Sequence, residues 1–167
     1  MSELKEVKDL LVELMKDTYD AESQLVEALP KMVEAATNPG LKRAFKDHLS
    51  ETKNHVARLE DAFEQMGIPA QRKKCKAMVG LVKEGDEACK EDGKPELVDA
   101  GIITAAQKVE HYEIAAYGTL RTYAGLLKQP KLAELFVATL AEEKASDVGL
   151  SEIAEGKLLS KLLTARK

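Results

Sequence analysis

Apolar side chains recur every three or four residues over four long stretches of the chain and one short one. This spacing is typical of amphipathic α-helices that bury one face. Clusters of Gly and Pro separate the stretches and mark the helix ends. The pattern predicts helices at about 2–36, 39–66, 74–90, 96–127 and 131–163, within one domain that spans residues 1–167.

The turns between these helices predict how the helices are connected. Asn38 is a suitable N-cap and Pro39 a suitable first residue for the second helix, and Pro30 is expected to kink the end of the first. Short turns join the first two and the last two long helices into antiparallel hairpins, whereas a long crossover with the short helix links the hairpins. Such a crossover lets the second and fourth helices run parallel, which predicts an all-α, ferritin-like four-helix bundle.

The composition agrees with one helical core, and the net charge argues against one class of binding partner. The 167 residues are 44% hydrophobic, only 4% aromatic and without Trp, as expected for long helices. The net charge of −4 gives no positive field for a phosphate backbone, so nucleic acid is not an expected partner.

Neither a membrane segment nor a thiolate metal site is expected. The N-terminal stretch has frequent charges, unlike a signal peptide, and no stretch reaches 18 apolar residues. Cys75 and Cys89 stand 14 residues apart without a CxxC pair, which argues against a four-thiolate zinc site. We interpret both as small apolar residues, and expect a reducing cytoplasm.

Several polar side chains fall on stripes that are otherwise apolar. The fourth helix carries Glu110 and Glu113 on its stripe, and the fifth carries Glu143. Glu22 lies at the edge of the first helix's stripe, and Glu51 lies on the second helix between His48 and His55. These positions predict carboxylates that face the interior of the bundle.

Counting residues from the turns places four of these glutamates at one height. Glu22 and Glu51 are each about 14.5 residues from the first short turn, and Glu113 and Glu143 are each about 15 from the second, which at 1.5 Å per residue is roughly 22 Å. A bundle of these helices is about 40 to 45 Å long, so all four glutamates are expected at its middle.

Four carboxylates in an apolar core require compensation by positive charge. Carboxylates and imidazoles together suit two divalent ions such as iron or manganese, bound between facing helices. The second half of the chain repeats the first, because Glu22 corresponds to Glu113, and Glu51 with His55 corresponds to Glu143 with Asp147. The predicted metal-ligating set is Glu22, Glu51, His55, Glu110, Glu113, Glu143 and Asp147.

Two neighbouring polar residues are given other roles. His48 is interpreted as a helix-packing residue or a support for a ligand. Tyr117 lies four residues after Glu113, and core packing with one satisfied hydroxyl is favoured over a direct role beside a ligand carboxylate.

Four segments together resemble one known family over essentially the whole chain. They are DAESQL at 20–25, HLSETKNH at 48–55, VEHYEIAAY at 109–117 and LAEEKASD at 140–147. They resemble the YciE/YciF family of bacterial ferritin-like stress proteins. The resemblance implies a ferritin-like bundle with a short crossover helix, a homodimer, an association with stress responses, and a di-metal centre like those of ferritins and rubrerythrins.

The chain departs from the ferritin and rubrerythrin pattern at three points. Glu51 and His55 are spaced Glu-x-x-x-His rather than Glu-x-x-His, and Asp147 stands where the second half would carry a histidine. A rubredoxin-like cysteine module is absent from the sequence, so redox turnover would need an external electron donor.

The predicted function is that of a stress-response protein with two divalent metal ions, iron before manganese, at mid-bundle. Such a centre would oxidise ferrous iron or reduce peroxide, although no catalytic side chain is assigned. One alternative is a structural or interaction protein that retains a vestigial site and acts through its dimer surface. A manganese catalase on the same scaffold is a third possibility.

Overall fold

The computed structural model describes residues 4–158, and these residues form helices without any strand. The helices are α1 at Val7–Ala35, α2 at Pro39–Gln65, α3 at Lys76–Ala88, α4 at Pro95–Leu126 and α5 at Pro130–Ile153. The segment Ala154–Leu158 follows α5 and is interrupted at Gly156, whose backbone angles, φ −74° and ψ −132°, are not helical. The predicted end of the last helix near residue 163 lies outside the described residues.

The start of α1 differs from the prediction because a capping box sets it. The Asp9 carboxylate accepts hydrogen bonds from the backbone N–H groups of Lys5 and Glu6, at 2.8 and 3.0 Å, which satisfies donors that have no partner inside the helix. The helix therefore begins at Val7 rather than near residue 2. Pro30 lies inside α1, which continues to Ala35.

The turn between α1 and α2 is fixed by two side chains. The Asn38 side chain accepts hydrogen bonds from the N–H groups of Gly40 and Leu41, and Pro39 is the first residue of α2, as predicted. The buried Asp99 carboxylate of α4 accepts from the N–H and hydroxyl of Thr37 and from the Asn38 N–H, at 2.7 to 2.8 Å. These bonds tie the turn to the beginning of α4.

Two hydrophobic clusters occupy opposite ends of the bundle. The first contains Leu41 and Phe45 from the start of α2 and Ile103 from the start of α4. The second contains Phe63 from the end of α2 and Leu120 from the end of α4. Because both helices begin in the first cluster and end in the second, α2 and α4 run parallel, as predicted from the crossover.

Asp20 anchors the crossover to α1. Its buried carboxylate accepts hydrogen bonds from the Cys75 N–H, the Arg72 Nε and the Gln24 Nε2. Beyond this anchor, α3 packs against α1 and α4. In the described part of the chain, no helix combines the length and the apolar character needed to cross a membrane.

Candidate metal centre

Six buried polar side chains form a layer between the two hydrophobic clusters. Each of the four long helices contributes at least one of them, because the apolar stripe of each helix is interrupted by an acidic residue or a histidine at this height. The six residues are Glu22 of α1, His48 and His55 of α2, Glu110 and Glu113 of α4, and Glu143 of α5.

The six residues divide into two groups that share Glu143. His48, Glu110, Glu113 and Glu143 form one group, and Glu22, His55 and Glu143 form the other. In each group, one potential ligand atom per residue lies within 4.8 Å of those of the others. The shared Glu143 carboxylate joins the two groups into one continuous cluster.

Each histidine turns one ring nitrogen toward the buried carboxylates. His48 Nε2 lies 3.4 Å from Glu110 Oε1 and 3.9 Å from Glu143 Oε2. His55 Nδ1 lies 2.9 Å from Glu143 Oε1 and 3.5 Å from Glu22 Oε1. The 2.9 Å contact is an ion pair when the ring is protonated, and His55 Nδ1 makes no hydrogen bond.

The site contains many polar atoms without a hydrogen-bond partner. Nine buried oxygen and nitrogen atoms of the six side chains make no hydrogen bond within the described residues, and both carboxylate oxygens of Glu113 and of Glu143 are among them. Buried polar groups in folded proteins are normally paired, and an unpaired one costs about 1–3 kcal/mol. Carboxylate oxygens and imidazole nitrogens are suitable ligands for iron or manganese, so the residues fit a divalent metal.

Without a metal ion, the charge balance of the layer favours protonated carboxyl groups. Burial, reinforced by the neighbouring carboxylates Glu143 and Glu22, raises the pKa of Glu113 well above its usual range. Burial also raises the pKa of Glu110 to about 8, and raises that of Glu143. Protons thus compete with a cation for these oxygens.

Burial and the neighbouring carboxylates shift the pKa values of the two histidines in opposite directions. Burial alone would lower the pKa of His55, but its contacts with Glu143 and Glu22 outweigh burial and raise the pKa to about 10. For His48, the carboxylates of Glu51 and Glu110 likewise outweigh burial and raise the pKa. Proton loss from both rings must therefore accompany metal binding through these nitrogens.

Tyr117 combines core packing with a polar contact at the edge of the layer. Its ring is buried beside Phe136, and its hydroxyl donates a hydrogen bond of 2.5 Å to Glu22 Oε1. Burial first, and the nearby Glu22 second, raise the pKa of this phenol. The hydroxyl therefore remains a donor that holds Glu22 in place.

Two of the seven residues predicted as ligands lie outside the layer. The α2 stripe passes through the fully buried Thr52, and Glu51, one residue earlier, is rotated by about 100°. Its side chain is 43% exposed and reaches only the outer nitrogen of His48, 3.6 Å away. Equal height along the bundle therefore did not place Glu51 at the same angle as the other glutamates.

Asp147 is turned away from the layer for the same reason. It follows Ser146, whose hydroxyl donates to Glu110 Oε1, and the step of one residue turns it outward. Its oxygens instead contact the side chains of Gln107 and His111 on α4. The other five predicted residues, Glu22, His55, Glu110, Glu113 and Glu143, are brought together.

Sequence reasoning missed the placement of three residues around the layer. His48 lies inside it, although we had assigned it to packing or support; its position on the stripe between Phe45 and Thr52 was the available signal. Glu142 and Arg58 form an ion pair behind His55. Arg58 and Glu142 are 84 residues apart and lie on different helices, so the spacing of residues along one helix does not predict their contact.

Comparison with known proteins identifies the family. The family model described as "Domain of unknown function (DUF892)" matches residues 6–163. The chain belongs to the DUF892 family. It is 45% identical over 152 residues to Protein YciF of Escherichia coli (strain K12), covering 90% of this chain and 92% of YciF. The resemblance proposed from the sequence is thereby confirmed.

Solved structures of related proteins confirm the ferritin-like helical bundle. The crystal structure of the E. coli stress protein YciF superposes with a TM-score of 0.87, covering 90% of this chain and 96% of that one. YcfI from Rhodopseudomonas palustris, 40% identical, gives 0.86 over 89% and 95% of the two chains. A ferritin-like, diiron-carboxylate protein from Bacillus anthracis str. Ames gives 0.70 over 91% and 100%, at 14% identity, and so supports the fold alone.

Proposed function

We propose that this protein binds two divalent metal ions, iron or manganese, in the layer between the hydrophobic clusters, and that the centre oxidises ferrous iron or reduces peroxide under stress. The observation that carries the proposal is the set of nine buried oxygen and nitrogen atoms, on six side chains, that make no hydrogen bond within the described residues. The family relationship to YciF, described as a stress protein, supports the physiological setting.

The two groups suggest which residues would bind each ion. His48, Glu110 and Glu113 would hold one ion, Glu22 and His55 would hold the other, and Glu143 would bridge the two. When bound, the ions supply open coordination positions and electrons for oxygen or peroxide chemistry.

The surrounding residues keep this site ordered and dry. The Tyr117 hydroxyl and the Ser146 hydroxyl each hold one ligand carboxylate by a hydrogen bond. The hydrophobic clusters on either side exclude water from the layer, which protects reactive species. The external electron donor, the homodimeric state and the cytoplasmic setting expected from the sequence belong to the same proposal.

Metal content provides the first test. Protein loaded anaerobically with ferrous iron, or separately with manganese, and then freed of loose metal should retain about two ions per chain. Glu143→Ala should lose most of the metal because Glu143 serves both groups. Glu51→Ala is the matched control, since Glu51 lies on the neighbouring helix outside both groups, and it should retain the wild-type content.

Measurements of oxygen with an electrode and of peroxide with a separate assay distinguish the three candidate activities. A ferrous oxidase consumes oxygen when iron is added, a peroxide reductase removes peroxide only with an added reductant, and a catalase releases oxygen from peroxide without one. Near-zero metal in the wild type after both loadings would overturn the metal proposal and favour the structural or interaction protein. Equal metal content in Glu143→Ala and the wild type would overturn the assigned ligands.

A further inference from the structure

The outer side of His55 is held by a glutamate that is not part of the metal groups. Glu142 Oε2 lies 2.8 Å from His55 Nε2, on the side of the ring opposite to the buried carboxylates. The Glu142 side chain is 31% exposed. It therefore connects the buried histidine to the outer face between α2 and α5.

Arg58 locks Glu142 in this position. Its two terminal nitrogens donate to the two carboxylate oxygens, with Nη2 lying 2.9 Å from Oε1 and Nη1 bonded to Oε2. Nη1 also lies 3.2 Å from the hydroxyl of Thr139. This bidentate ion pair fixes both the position and the plane of the Glu142 carboxylate.

The consequence is a fixed orientation of the imidazole ring. With Nε2 committed to Glu142, the other nitrogen, Nδ1, must face Glu22 and Glu143. A carboxylate on the remote nitrogen of a metal-binding histidine sets the ring orientation and raises its basicity as a ligand. We propose that Glu142, locked by Arg58, is a positioning residue that presents His55 Nδ1 to a divalent ion; this role rests on the proposed metal site.

His48 provides an internal comparison that lacks this device. Glu51 and Glu142 each lie one residue before a fully buried residue, Thr52 or Glu143, and each lies beside the outer nitrogen of a histidine. Yet the Glu51 carboxylate is 3.6 Å from His48 Nδ1, which forms no hydrogen bond. Within residues 4–158, no arginine lies within ion-pair distance of Glu51, although the charge of Glu51 acts on Arg58 from farther away. The chain thus offers a matched pair of glutamates, one locked and one not.

Titration of the metal-free protein with Mn²⁺ tests the proposal. Glu142→Ala should weaken binding of one of the ions by about 10–100-fold, the range typical for loss of such a partner. Arg58→Ala should weaken it in the same direction. Glu142→Gln should recover part of the affinity, because the amide oxygen accepts the same hydrogen bond from Nε2, whereas the amide nitrogen cannot accept from Arg58 Nη2. Glu51→Ala should weaken binding much less than Glu142→Ala, because Glu51 makes no hydrogen bond to His48.

A second measurement on the metal-free protein separates this proposal from the metal site itself. The rings of His55 and Tyr117 lie 6.2 Å apart, so NMR should show contacts between their ring protons. Glu142→Ala should lose this fixed contact and Glu142→Gln should keep it, whether or not metal binds. Unchanged contacts and unchanged affinity in Glu142→Ala would overturn the positioning role. If Glu142→Gln loses the ring contact as Glu142→Ala does, a hydrogen-bond acceptor at Nε2 does not hold the ring, and the positioning role also fails.

Discussion

Replacing Glu113 by leucine should stabilise the metal-free protein. Glu113 is fully buried, and neither of its carboxylate oxygens has a hydrogen-bond partner within the described residues. Burial also keeps its pKa well above the usual range, so the folded chain carries the cost of an uncompensated polar group. Leucine is of similar size and removes that group from the core.

The magnitude follows from the unpaired oxygens. An unpaired buried polar group costs about 1–3 kcal/mol, and replacement of buried polar groups by apolar residues has stabilised other proteins by similar amounts. We expect Glu113→Leu to raise the unfolding free energy by about 2 kcal/mol. For a chain of this length, that is about 4–8 °C in the melting temperature.

Metal should reverse the order of stabilities. A ligand at 100 times its dissociation constant stabilises a folded protein by about 2.7 kcal/mol. The wild type should gain on this scale with ferrous iron or Mn²⁺, whereas Glu113→Leu, which lacks one of four ligands in its group, should gain much less. The two proteins should therefore change rank between chelator and metal.

Thermal and urea unfolding, each in chelator and in saturating metal, provide the assay. Glu64→Leu, at an exposed position on α2, is the control and should change the unfolding free energy by less than about 0.5 kcal/mol in either condition. A Glu113→Leu protein that is less stable than wild type in chelator would refute the reasoning, because it would show that Glu113 is satisfied without metal.

Two further predictions concern pH and the turn between α1 and α2. In chelator, the unfolding free energy should fall as pH rises from 6 to 8.5. The folded-state pKa values of Glu110, about 8, and His55, about 10, are higher than those in the unfolded chain. Over this pH range the folded state therefore holds protons that the unfolded state has released, which favours unfolding as the pH rises. Urea titrations at several pH values measure this slope, and a flat or rising profile would contradict it. Asp99→Ala should lower the unfolding free energy by about 2–4 kcal/mol, because three donors of Thr37 and Asn38 lose their acceptor. A loss below about 1 kcal/mol in urea unfolding would show that water replaces the carboxylate.

The fold was predictable because the residues that begin and end its helices are adjacent to those helices in the sequence. Asn38 and Pro39 mark the start of α2 through the chemistry of capping, and they do so in the structure. The long segment between α2 and α4 predicts that these helices run parallel, and the hydrophobic clusters confirm it. The start of α1 was placed too early because Asp9, which caps the helix by bonding backward to Lys5 and Glu6, lies inside an uninterrupted apolar pattern.

The site was predictable in height but not in rotation. Counting from the turns placed Glu22, Glu113 and Glu143 at one level, and the structure brings them together. The same count included Glu51, because height changes by only about 1.5 Å per residue whereas direction changes by about 100°. The lock formed by Glu142 and Arg58 depends on the packing of α2 against α5, which no spacing along one helix encodes.

The polar layer also bears on how cooperatively the protein unfolds. It divides the core into two apolar lobes, and each lobe draws on all four long helices. Without an ion, the layer between them has few internal bonds, so opening of one lobe transmits little free energy to the other. The two proposed ions together would bind residues from all four long helices and so join the lobes into one unit. Metal occupancy would then determine whether amide protons at the two ends exchange independently or through one global opening.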